Sequence, residues 1–160
     1  MELFLMRHGI AEDRQVWFGP ERQRPLTAKG RKRTRAVVVE LKHLKLLKLD
    51  AIWTSPLVRA KQTAEIVREI YDVPVVEVKE LAAGATVEDL IGVLRKHEPP
   101  KRLMLVGHEP DLGYMYAELA GIKDPFPFKK AGVACLSGDF KPGGMKAEWY
   151  RRPKELLKDE

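Results

Sequence analysis

The sequence predicts an α/β fold of three layers, with a mostly parallel central sheet between helices. Leu3-Phe4-Leu5-Met6 and Leu103-Met104-Leu105-Val106 are unbroken apolar runs, the pattern of strands covered on both faces. Segments with helical spacing of apolar residues alternate with such runs, as a parallel sheet with crossover helices requires. The strand segments also end alike. Arg7-His8-Gly9 follows the first, Ser55 to Arg59 follows a strand ending at Thr54, and Gly107-His108 follows the last. Ligands of open α/β sheets collect at the carboxyl ends of strands, so three strand ends converge on one positively charged point.

Taken in order, the first strand delivers Arg7 and His8 to this edge, while Gly9 turns the backbone and leaves its N–H open to an anion. Ile10 to Arg24 has no steady period and carries Trp17, Phe18, Gly19 and Pro20, which reads as a loop with a helical turn bordering the pocket. Pro25-Leu26-Thr27 opens a helix with Thr27 as its N-cap. Ala36, Val37, Val38, Leu41, Leu44 and Leu47 form its apolar side, Arg31 to Arg35 its solvated face, and Gly30 allows close approach to the first strand. Asp50 to Thr54 is a second strand. Ser55 is placed to cap a helix starting at Pro56, with Arg59 about one turn in and able to reach an anion at the helix N-terminus.

Val73 to Val78 reads as a short third strand with Glu80 just past its end, followed by a helix from about Thr86, its cap, to Lys96. After the fourth strand, Leu103 to Val106, a helix opens at Pro110 or Asp111 and carries Leu112, Met115, Tyr116 and Leu119. Ala131 to Phe140 and Met145 to Tyr150, joined by Lys141-Pro142-Gly143-Gly144, read as an antiparallel pair. The charged tail from Arg151 either docks as a helix or frays.

With 160 residues, 44% of them apolar, and no Gly/Ser/Pro-rich linker, one domain over residues 1–160 is expected. No apolar run has the length to cross a membrane, and the N-terminus has no basic segment leading into an apolar stretch with a cleavage site. The expected location is the cytoplasm. Cys135 is the lone cysteine, which excludes an intrachain disulfide or a Cys-based zinc site and reads as core. The net charge of +6 is uneven: residues 1–49 hold 12 Lys/Arg against 5 Asp/Glu, the remainder 17 against 18. Such a bias suits an acidic protein or a phosphorylated substrate. Aromatics are not interleaved with the cations as base stacking requires, which argues against nucleic acid.

Arg7-His8-Gly9, Pro25-Leu26-Thr27 with Gly30, Ser55-Pro56-x-x-Arg59-Ala60-x-x-Thr63-Ala64 and Gly107-His108 occur in the order and spacing of the histidine phosphatase superfamily, which the chain resembles over nearly its whole length. The continuation Arg7-His8-Gly9-Ile10-Ala11-Glu12 is similar to the SixA-type phosphohistidine phosphatases within it. The resemblance implies a phosphoglycerate mutase-like fold with a minimal lid, since the connection from Thr63 to Glu80 is short. In larger superfamily members a carboxylic acid from the region of Glu80 protonates the leaving group, which makes Glu80 a candidate for that role.

Phosphoryl transfer needs positioned positive charge and an in-line nucleophile. Arg7, Arg59 and His108, with backbone N–H groups such as that of Gly9, are expected to bind the phosphate. His8 is expected to attack phosphorus through a neutral ring nitrogen, forming a phosphohistidine that water hydrolyses, with the arginines opposing its protonation. No cofactor or metal is expected, because no carboxylate has ligand spacing with His8 and His108 and the arginines would repel a cation. His43, on a lysine-rich helix face, and His97, at a helix end, are not expected to act. The expected activity is metal-independent removal of phosphate from phosphohistidine in proteins. A phosphatase for small phosphomonoesters is one alternative, and a phosphate-recognising module without turnover is another. The expected partner is thus a phosphohistidine-bearing protein or a small phosphorylated molecule, with no nucleic acid and no membrane.

Overall fold

In a computed structural model, the structure describes residues 1–158. Among them, β1 (Glu2–Arg7), β2 (Ala51–Thr54), β3 (Val75–Glu77), β4 (Arg102–Gly107), β5 (Val133–Gly138) and β6 (Met145–Arg151) form one sheet. Its spatial order is β3-β2-β4-β1-β5-β6. The first four of these neighbours pair in parallel, and β5 runs antiparallel to both β1 and β6. The helices are α1 (Ala28–His43), α2 (Val58–Tyr71), α3 (Val87–Lys96), α4 (Asp111–Ala120) and the single turn α5 (Pro153–Leu156).

Strand alternation sorts the apolar residues into two cores. Leu3, Leu5, Trp53, Leu103 and Leu105 face Leu90 of α3 and Leu112, Met115 and Leu119 of α4. Phe4, Met6, Ile52, Met104 and Val106 face Val37, Val38 and Leu41 of α1 and Ala60, Ala64 and Val67 of α2. The three-layer α/β/α arrangement predicted from the sequence therefore holds, because continuous apolar strands require helices on both faces. No helix of the described residues is long and apolar enough to cross a membrane.

Both predicted threonine caps are present: Thr27 Oγ1 accepts from Gly30 N at 2.8 Å and Thr86 Oγ1 from Asp89 N at 3.1 Å. Three local expectations need correction. α1 stops at His43, with Leu44 as C-cap and Lys45 in the left-handed region at φ 59°; Leu47 is buried from the extended segment beyond, while Leu44 is half exposed. α2 begins at Val58 and its N-cap is Leu57. Ser55 instead accepts from Leu57 N at 3.2 Å, a local turn that carries the chain from the sheet to the helix. The third strand is shorter than expected, three residues at the sheet edge.

Gly30 lies where α1 meets the segment after β1, and a Cβ there would lie 2.1 Å from the Ile10 carbonyl oxygen. Gly30→Ala gains about 1 kcal/mol of helix propensity but must displace backbone, and overpacking of this kind costs about 1–3 kcal/mol. Net destabilisation is predicted in urea unfolding. An unchanged or raised midpoint would contradict the close contact.

Candidate active site

Strand register decides which side chains meet. Arg7 stands opposite Gly107 on the β1–β4 pair and Thr54 opposite Val106 on the β2–β4 pair. The following residues, His8, His108 and Ser55, therefore leave the sheet side by side. His8 N donates to Gly107 O at 3.1 Å and Ser55 N to Val106 O at 3.0 Å, which extends the ladder through the site. The rings of His8 and His108 lie 5.3 Å apart, tilted at 54°.

His8 Nδ1 is 2.7 Å from the carbonyl oxygen of Gly9. A carbonyl only accepts, so the proton is on Nδ1 and the lone pair on Nε2. Burial, above all, lowers the His8 pKa to about 3, with His108, Arg59 and Arg7 adding to it and the Gly9 bond opposing it. The arginines that the sequence singled out are thus a secondary cause. His108 is lowered to about 4, again by burial first and then by Arg59, Arg7 and Arg24. Its Nε2 lies 2.7 Å from Ser55 Oγ. Ser55 Oγ also accepts from Leu57 N, and His108 Nδ1 is a buried atom without a protein partner.

These residues border a cavity of about 580 Å3 walled by Arg7, His8, Arg24, Arg59 and His108, by Lys130 and Glu109, and by the 11–15 segment. Five cationic side chains, including Arg14, face three carboxylates, Glu12, Asp13 and Glu109, so the cavity favours an anion. Arg7 Nη1 donates to Phe128 O at 2.8 Å and Arg59 Nη1 to Glu21 O at 3.2 Å, while the buried Nε of each has no protein partner. Burial is the first cause lowering both guanidinium pKa values, from a starting point high enough that both remain cations.

Arg24, which lies outside the sequence motifs, is a further cation on the cavity wall. Arg24 is buried, donating through Nη1 to Glu12 O at 2.6 Å and through Nη2 to Glu21 Oε1 at 2.8 Å. The Glu21 carboxylate also draws Arg59 Nη2 and Arg14 Nε to 3.5 Å. The expected helical turn is Glu21–Gln23, and it holds the arginines at the pocket. A basic residue directly before Pro25-Leu26-Thr27 was the available signal for Arg24.

Two predicted site residues need correction. Gly9 N donates to Thr63 Oγ1 at 3.1 Å, so this N–H is not open to an anion. Gly9 is a glycine because a Cβ would lie 2.3 Å from Thr34 Oγ1. Glu80 is not brought to His8. It lies on the 3₁₀ turn Lys79–Leu81 and lines a separate cavity with Trp53, Val93 and His97. The cause is topological: β3 is three strand steps from β1, about 14 Å. None of residues 72–86 walls the His8 cavity, consistent with a minimal lid. No three His, Cys, Asp or Glu of the described residues group in a way that would hold a metal ion.

Two strand ends and the first turn of α2 present two histidines and two arginines to one cationic cavity, a candidate anion site of an α/β protein. The model of the histidine phosphatase superfamily (branch 1) matches residues 3–85, and the chain belongs to that family and, within it, to the SixA type. It is 43% identical over 142 residues to an uncharacterized protein of Picosynechococcus sp., covering 85% of this chain and 84% of that one. It is 36% identical over 150 residues to a phosphohistidine phosphatase SixA homolog of Haemophilus influenzae, covering 87% of this chain and 89% of that one. A protein histidine phosphatase SixA solved with tungstate superposes with a TM-score of 0.85 at 28% identity, over 98% of this chain and 99% of that one.

Two measurements check this geometry. Ring 15N shifts of His8 are predicted to report a neutral imidazole with its proton on Nδ1 at pH 5, above the value of about 3 set by burial; imidazolium shifts at that pH would contradict it. Glu80→Gln is predicted to leave turnover nearly unchanged, far from the about 10²–10⁴-fold that a general acid contributes. A loss in that range would return Glu80 to the site.

Proposed function

We propose that this protein removes phosphate from phosphohistidine in other proteins, through a phosphohistidine intermediate on His8. The observation that carries the reading is the neutral His8 with its Nε2 lone pair free in a cavity of arginines. His8 Nε2 forms a bond to phosphorus as the bond to the substrate imidazole nitrogen breaks, and that imidazole takes a proton from water. The ring of His8 becomes cationic as Nε2 is phosphorylated, and the Gly9 carbonyl at 2.7 Å stabilises the Nδ1–H that carries this charge. Arg7 and Arg59 neutralise the phosphoryl oxygens, and His108 helps to hold them. Water then attacks phosphorus and restores His8.

The SixA homolog of Haemophilus influenzae and the SixA solved with tungstate support this substrate class. Chemistry supports it too. An imidazole accepts a proton near neutral pH, so transfer from one histidine to another exchanges similar bonds and asks little of a general acid. A small phosphomonoester is the second reading, favoured by the carboxylates on the cavity wall. An ester oxygen leaves far better when protonated, and burial raises the pKa of Glu109.

His8→Ala is predicted to reduce turnover to background with the fold intact by circular dichroism. Arg59→Ala is predicted to lower kcat/KM about 10²–10³-fold, the range for one lost oxyanion donor, and to weaken vanadate binding. Side-by-side assays are predicted to give higher kcat/KM for phosphohistidine than for alkyl phosphate esters, unaffected by EDTA. Efficient ester turnover without phosphohistidine hydrolysis favours the second reading, and loss on chelation restored by metal overturns the mechanism.

A further inference from the structure

A second cavity of about 670 Å3 opens beside the first and shares Arg7 and Lys130 with it. Its other charged walls are Arg33 of α1, Lys129 before β5, and Arg152 and Lys154 at the start of α5. None of its lining residues is acidic and none is aromatic. The chemistry proposed above uses Arg7 alone of these six cations. The net charge of the N-terminal third does not anticipate the ledge, because four of its cations come from residues 129–154.

The ledge is fixed relative to the nucleophile. Ala131 N donates to the carbonyls of Arg7 and His8, each at 3.1 Å, and Gly132 N to Lys129 O at 2.8 Å. Lys129 N donates to the Tyr150 hydroxyl at 2.9 Å, and Pro153 is buried while Leu156 and Leu157 pack on the α1–α2 core. Lys129, Lys130, Arg152 and Lys154 nevertheless present exposed side chains. Like charges gathered on a rigid surface raise the local potential, which speeds encounter with an opposite surface more than it strengthens the final contact.

We propose that this ledge is the docking surface for an acidic segment of the phosphorylated protein, a proposal that rests on the phosphohistidine reading above. A phosphorylated side chain that reaches His8 from a protein surface brings its neighbouring residues over the shared wall of Arg7 and Lys130. Acidic residues there meet four further cations, Arg33, Lys129, Arg152 and Lys154, of which Arg152 is ion-paired with Glu155 at 3.1 Å. Nucleic acid fits less well, because the ledge offers no aromatic face on which a base could stack.

The test uses three probes: a peptide with one phosphohistidine flanked by glutamates, the same peptide with serines in their place, and free phosphohistidine. Each is assayed with the wild-type protein and with the Lys129→Glu/Lys154→Glu variant, whose positions do not line the His8 cavity. At low salt the glutamate peptide is expected to exceed the serine peptide about tenfold in kcat/KM. The gap closes in the variant, and in the wild type at about 1 M salt, where charges are screened within about 3 Å. Free phosphohistidine turnover stays the same in both proteins. Equal kcat/KM for the two peptides in the wild type, or a gap surviving high salt or the double substitution, overturns the ledge. If the variant does not fold, the salt dependence of the wild type decides alone. Should none of the three probes be hydrolysed, the phosphohistidine reading fails instead, and anisotropy of a fluorescent, unphosphorylated glutamate peptide still tests the surface. Weakening of about tenfold in the variant then supports it, and unchanged affinity overturns it. A single-stranded oligonucleotide of equal charge binding more tightly than the peptide, and lost in the same variant, also overturns it.

Discussion

The parallel register of β1, β4 and β2 is the constraint on which the site depends. Slipping β1 by one residue would exchange Leu3 and Leu5 with Phe4 and Met6 between the two cores, because a one-residue shift turns every side chain to the opposite face. Two cores of different shape thus hold the register, and the register places His8 beside His108 and Ser55. Site geometry is in this sense a by-product of packing. The loop from Gly9 to Leu26 is then fitted onto that edge by close backbone contact: Gly9 against Thr34, Gly30 against Ile10, and Glu12 N donating to Pro25 O at 2.8 Å.

Burial does more than charge to prepare the histidines. Desolvation is the first cause of the lowered pKa at both His8 and His108, and the arginines come after it. This ordering has a structural meaning. Arginines lend positive potential to any pocket they line, but a neutral histidine with a defined tautomer also needs a dry environment and a fixed partner for one nitrogen. Gly9 O is that partner for His8 and Ser55 Oγ for His108. The buried Nε atoms of Arg7 and Arg59 lack protein partners, as does His108 Nδ1.

Much of this was legible in the sequence. The apolar runs at Leu3–Met6 and Leu103–Val106 can only be satisfied by a sheet covered on both sides, and Thr27 and Thr86 mark their helix starts through short-range bonds. That Arg7, His8, Arg59 and His108 come together at one sheet edge was legible because Arg7 ends a strand, His8 and His108 each follow one, and Arg59 lies in the first turn of a helix. What escaped was set by distant partners. Position after a strand suggested Glu80, yet only the spatial order of the strands reveals that β3 lies at the far edge. Gly9 reads from the sequence as a turn with an open N–H, whereas its N–H is taken by Thr63 and a Cβ there would meet Thr34, a helix residue some twenty-five positions on. Arg24 and the basic ledge were missed because their roles follow from three-dimensional placement.

The central claim is that Gly9 fixes the His8 proton on Nδ1 and leaves Nε2 as the atom that takes the phosphoryl group. Rapid quenching of the enzyme with a 32P-labelled phosphohistidine peptide, followed by base hydrolysis and separation of the two phosphohistidine isomers, tests this directly. Label is expected on His8 as the Nε2-phosphorylated isomer, absent from His8→Ala. Label on Nδ1 or on another residue, or turnover in a single step with no labelled protein at any time, would contradict it.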